Sequence, residues 1–136
     1  MRIRTPRERW FTFENDPDNG KILIRQLTPG ERQDIFDQAI KQEIIYKPGK
    51  SGESEPMVRQ RNDMKLDREL TFKSAIIDWK NFYDEKGKPI KCTNGNIIKA
   101  IRSIDGLSET VKGFMADLDG ILAKEDEDQE KNLPNT

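Results

Sequence analysis

The chain's 136 residues are 33% hydrophobic and 36% charged, with a mean hydropathy of -0.90; this fits one domain with a thin core and excludes a large buried catalytic cleft. No run approaches the ~20 apolar residues of a membrane span, and Met1-Arg2-Ile3-Arg4-Thr5-Pro6 lacks the apolar segment of a secretory signal, so a cytoplasmic protein is expected. With 24 basic and 25 acidic residues, no histidine and a single cysteine, Cys92, the chain has no internal disulfide and lacks the usual general base and transition-metal ligand.

Arg9 to Glu14 and Lys21 to Leu27 are short aromatic and β-branched runs. The turn-forming segment Asn15-Asp16-Pro17-Asp18-Asn19-Gly20 separates them, which predicts a β-hairpin over residues 9–27. Alternation places Trp10 and Thr12 on one face, Phe11 and Phe13 on the other, and sets Ile22 and Ile24 against Leu23 and Arg25. Thr28-Pro29-Gly30-Glu31 has the form of a capping box with proline at the first helical position. Ile35, Phe36, Ala39, Ile40 and Ile44 then recur at helical spacing, so a helix over 31–46 is expected. Lys47 to Pro56, rich in Pro, Gly and Ser, reads as a flexible loop.

A longer, central helix is predicted over 60–82, with Leu66, Leu70 and Ile77 in one row and Phe72, Ala75, Ile76, Trp79 and Tyr83 in another. Gly87 and Pro89 stop it, and Thr93 caps a short helix over 94–104. Leu107, Val111, Phe114, Met115, Leu118, Ile121 and Leu122 form the clearest apolar stripe, on a helix over 107–124 that contains Gly113 and Gly120. Residues 125–136 are expected to be a disordered acidic tail. The expected fold is therefore α+β and mainly helical: an N-terminal hairpin on about four helices, in one domain spanning 1–124.

Chemical motifs fail on their spacing. Gly49-Lys50-Ser51 matches the end of a phosphate-binding loop, but the position of its first glycine is Ile44. Asp117-Leu118-Asp119-Gly120 departs from a calcium loop at its glycine and at Asp128, where a glutamate is required. Asp84 and Glu85 beside Gly87 are better explained by a turn than by a cation, and Cys92 has no histidine to activate it. The expectation is a protein that is not an enzyme and has no catalytic residue, cofactor or metal.

Charge is unevenly distributed. Residues 57–102 carry eleven Lys/Arg against six acids, a net of +5, and residues 117–130 carry seven acids against Lys124, a net of -6. Arg2, Arg4, Arg7, Arg9 and the basic centre are compatible with phosphate contacts, yet acids such as Asp63, four residues after Arg59, pair with them. Nucleic-acid binding is therefore not the expected function.

One combination of segments resembles a known family. Ile76-Ile77-Asp78-Trp79 is followed by Phe82-Tyr83-Asp84-Glu85-Lys86-Gly87-Lys88-Pro89-Ile90-Lys91-Cys92-Thr93 and a helix from Asn94 through Ile98. This resembles the tail assembly chaperones of long-tailed bacteriophages, where an aliphatic residue and Trp precede Asp-x-x-Gly-x-Pro and a Thr-capped helix. The front of the chain is similar too, with an aromatic strand, a turn, an Ile-rich strand and Leu27-Thr28-Pro29-Gly30-Glu31 opening a helix. The likeness covers residues 8–123, apart from the Pro48 to Pro56 loop. It implies a non-enzymatic protein of the bacterial host cytoplasm that binds the phage tape measure protein, keeps its long helices soluble and helps recruit tail tube protein. In many such phages a ribosomal frameshift yields a longer second form. Candidate partner-binding residues are Trp10, Phe82, Leu107, Val111, Phe114, Met115, Leu118 and Leu122, unless the stripe and both tryptophans simply form the core. The stripe also makes a homo-oligomer an expectation. The alternatives are a minor phage head or tail structural component and a small DNA-binding regulator.

Overall fold

The computed structural model describes residues 1–3, 5–50 and 52–131. Among them five strands and four helices follow one another: β1 (Glu8–Thr12), β2 (Lys21–Arg25), α1 (Pro29–Ala39), β3 (Ile40–Pro48), β4 (Ser54–Asn62), α2 (Met64–Ala75), β5 (Ile76–Lys80), α3 (Asn94–Ser103) and α4 (Leu107–Lys131). The fold is α+β with an N-terminal hairpin, and 45% of the described residues are helical and 27% strand. Two compact units are formed, one from residues 1–27 and the chain from Phe72 onward, the other from Thr28–Thr71.

In the first unit β1 and β2 pair antiparallel, with Phe11 opposite Ile22 and Trp10 opposite Leu23. The connecting loop turns at Asn15 and Asn19, both at positive φ (61° and 53°). Gly20 is required there for closeness, because a Cβ would lie 2.7 Å from the Asp16 carboxylate and 3.3 Å from the Phe13 ring. The sheet order is β1-β2-β5. Its inner face contributes Ile22, Ile24, Ile76 and Trp79 to a core completed by Phe72, Ile97 of α3, and Leu107, Val111, Leu118 and Leu122 of α4. The Thr93 hydroxyl caps α3, accepting the Asn96 N–H at 3.2 Å.

In the second unit Thr28 and Glu31 make the expected capping box at the start of α1, each accepting the other's backbone N–H at 3.1 Å. β3 and β4 pair antiparallel from Ile40 opposite Asn62 to Pro48 opposite Ser54. Asp63 starts α2, its carboxylate accepting the Leu66 N–H at 3.1 Å and pairing with the Lys41 ammonium at 3.0 Å. The Leu66 N–H, followed by Lys41, holds its pKa below the usual carboxylate value.

Three predicted elements are redrawn. The helix expected over 60–82 begins at Met64 and stops at Ala75, and Ile76–Lys80 is a strand. Ile76 and Trp79 are three apart and both buried, which is helical spacing; in the strand a bulge at Ile77 turns both toward the core, with Ile24 opposite Ile76 and Ile22 opposite Trp79. The helix expected over 31–46 stops at Ala39, because the four-residue spacing of Ile40 and Ile44 suits a strand as well as a helix and β-branched side chains favour the strand. The loop expected over Lys47 to Pro56 is partly taken up by the ends of β3 and β4, and just beyond them the Gly49 N–H donates to Glu53 O at 2.6 Å. Prolines 48 and 56 are tolerated because a two-stranded ribbon consists only of edge strands.

The last correction concerns the acidic segment. The helix expected to end at 124 continues to Lys131, so residues 125–131 are helical and not disordered. Arg7 holds two of their acids, Glu125 at 3.0 Å and Asp126 at 2.8 Å, and Lys131 pairs with Glu127 one turn back at 3.3 Å. The expected disorder of 132–136 lies outside the described residues, as do Arg4 of the basic N-terminus and Ser51 of the phosphate-loop remnant.

Candidate functional site

The first unit carries an open groove of about 1140 Å³. Its walls are the β1–β2 loop, the segment from Asn81 to Ile90, and the end of α3 with the turn into α4. Each wall is held by local chemistry. The Asp16 carboxylate accepts the Gly20 N–H at 2.8 Å, and the Asn81 amide reaches across to Asn19 O at 3.0 Å. Asp84 ties the second wall into a tight turn, its carboxylate accepting the N–H groups of Lys86 and Lys88, both at 2.9 Å. Gly87 supplies the positive φ of 79° that this turn needs. The carboxylate of Asp84 is thus occupied by backbone N–H groups, which accounts for its place beside Gly87.

Aromatic side chains support the floor. The Trp79 ring stacks on Phe82 with centroids 4.4 Å apart, and its indole N–H donates to Ile90 O at 2.7 Å. Phe82 meets Phe13 edge-on at 5.8 Å, Phe13 meets Phe114 at 5.3 Å, and Phe114 stacks on Phe11 at 4.7 Å. These contacts join β1, β5 and α4 into one rigid series. Tyr83 and Ile104 line the same groove, at 42% and 48% exposure.

The expected partner-binding residues divide accordingly. Leu107, Val111, Leu118 and Leu122 are buried at 6% exposure or less and form the core of this unit. Phe114 and Met115 are half-buried against that core, Phe114 between Phe11 and Phe13. Phe82 is half-buried and lines the groove. Trp10 does not join them: it alternates with Phe11 to the other face of the sheet, 37% exposed, with the Lys80 ammonium 4.6 Å above its ring. Nothing in the sequence marks Tyr83 or Ile104 as a surface group, and Tyr83 falls in an apolar row of the expected central helix. Ile104 follows the α3 stripe at helical spacing and reads as core, but the helix ends at Ser103 and leaves it on the cap.

Six carboxylates line the groove (Glu14, Asp16, Asp18, Asp84, Glu85, Asp105) against three ammonium groups (Lys86, Lys88, Lys99). The balance favours a cationic over an anionic ligand. Cys92, the one candidate nucleophile, is half-buried outside these walls, and desolvation, with a smaller effect of Asp78, pushes its pKa up to about 11. Near neutral pH it is a thiol and a poor nucleophile. Among the described residues no group of three or more Cys, Asp or Glu side chains forms a candidate metal site, and no helix is long and apolar enough to cross a membrane. Compared with protein families, curated proteins and solved structures, the chain matches none.

Proposed function

We propose that this chain is a tail assembly chaperone of a long-tailed phage: it binds helical segments of the tape measure protein without chemistry and holds them for assembly with tail tube protein. The observation that carries the reading is the groove itself, with half-exposed Tyr83 and Ile104, a braced aromatic floor and an acidic rim. An amphipathic helix with an apolar stripe and basic flanks suits such a surface, the stripe displacing water from the apolar side chains while the flanks meet the carboxylates. Phe82 to Ile90, the first part of the Phe82–Thr93 segment that carries much of the resemblance to these chaperones, also belongs to one of the groove's walls.

Co-expression tests the proposal. The wild-type chain should move an otherwise insoluble tape measure fragment into the soluble fraction and should be absent from finished particles. The double variant Tyr83→Ser with Ile104→Ser truncates two half-exposed side chains outside the core and loses only the Tyr83 O–H bond to Asn81 Oδ1 at 3.3 Å, so it should keep its circular dichroism and most of its thermal midpoint while losing most of the rescue. Unchanged rescue by this folded variant refutes the groove as the binding surface. Stoichiometric presence in purified particles, with no rescue, would make the chain a structural component instead.

A further inference from the structure

We propose that one face of the β3–β4 ribbon is the interface through which two copies of this chain associate. Side chains alternate between the two faces of a strand, so the register sorts the ribbon's cross-strand pairs into two sets. Gln42 with Gln60, Ile44 with Val58 and Tyr46 with Pro56 share one face. Lys41 with Arg61, Glu43 with Arg59, Ile45 with Met57 and Lys47 with Glu55 share the other. All the charge of the paired positions therefore falls on the second face, where Arg61 also pairs with Glu43 at 3.2 Å. The uncharged face holds the more exposed apolar groups: Ile44 at 66%, Val58 at 65% and Tyr46 at 69%, against 38% for Met57 on the charged face.

Such a face restricts what covers it. A charged occupant would be desolvated there with no ion to meet it. A two-stranded ribbon by itself is only marginally stable, so cover on the apolar side is worth having. A second copy of the same face meets both conditions. Related by a two-fold axis that runs along the ribbon between its strands, it sets Ile44 against Val58 and Gln42 against Gln60, and no like charges oppose one another. Nine rungs at roughly 3.4 Å give a ribbon about 30 Å long. Two such faces bury on the order of 1,000 Å² in total, the lower bound of a specific interface, so the dimer dissociates on dilution. The interface uses residues of β3 and β4 only and none of the groove residues, so its test is independent of the chaperone reading.

Sedimentation velocity of the full chain from about 5 to about 500 µM should show a monomer–dimer equilibrium. Ile44→Glu and Ile44→Lys should each weaken it about tenfold or more, and an equimolar mixture of the two should regain the wild-type level, which also shows that both variants fold. A milder probe places a cysteine on each face in a Cys92→Ser background. Under gentle oxidation Ile44→Cys should form a covalent dimer, and Arg59→Cys on the charged face should not. The proposal is overturned if the wild type stays monomeric throughout. It is equally overturned if its dimer is indifferent to both Ile44 variants, or if Arg59→Cys cross-links as readily as Ile44→Cys.

Discussion

Trp79 serves two neighbours at once: its ring stacks on Phe82, and its N–H closes onto the Ile90 carbonyl, so the segment between them is held in place by one side chain. Cys92, two residues beyond Ile90, has its pKa raised by burial and, to a smaller extent, by Asp78. Its folded pKa of about 11 lies above that of a free thiol, so the unfolded chain ionises first as the pH rises. Below the free-thiol value both states are neutral and Cys92 makes no difference. Between about 9 and 11 it costs stability progressively, because the unfolded chain gains a thiolate that the folded chain lacks. Cys92→Ala should flatten the alkaline limb of a urea midpoint against pH profile, and the native thiol should react slowly with a disulfide reagent at pH 8. Rapid labelling of folded protein at pH 8, with circular dichroism unchanged, would contradict this. The sequence showed that Cys92 has no histidine to activate it, but its burial beside Asp78 depends on packing.

At the scale of elements, α4 carries Gly113 and Gly120 in a 25-residue helix, and a Cβ at either position would meet nothing within 4 Å. Neither glycine has a packing reason to be there. Alanine at each should add about 0.5–1 kcal/mol by reducing the freedom of the unfolded chain, raising the thermal midpoint by a few degrees per site. A drop in midpoint for either variant would mean that the helix must bend or approach something at that glycine. The capped helix starts at Thr28 and Thr93 were readable because a cap is written in three or four adjacent residues. The strand starts at Ile40 and Ile76 were not, because the bulge at Ile77 and the four-residue spacing of Ile40 and Ile44 reproduce helical periodicity.

At the scale of the molecule, the two units differ in how much they bury. The first holds a ten-residue core, whereas among the described residues of the second only Ile35 and Ala39 are buried apolar groups, and no residue of β3 or β4 is. Hydrogen exchange should follow this difference, since amides in regions with few buried contacts open at lower free energy. In dilute protein the β3–β4 amides should exchange well before those of β2, β5 and α4, and their protection should rise with protein concentration as the ribbon face is covered. Protection of β3 equal to that of β2 at every concentration would contradict this ordering.

The sequence by itself determined the α+β class, the N-terminal hairpin with Phe11 and Phe13 on the face opposite Trp10, the capped starts of α1 and α3, and the gathering of the 107–122 apolar stripe on one helix. These are local facts, set by caps, turns and periodicities within a few residues. Tertiary structure decided what depends on partners far along the chain. Ile76–Lys80 is a strand because β2 offers it an edge, the acidic 125–131 segment is helical with Arg7 holding Glu125 and Asp126, and Tyr83 and Ile104 reach the surface because the turns beside them close as they do. Each requires a contact between residues dozens of positions apart or the geometry of a closed turn, and neither has a period along the chain from which it can be read.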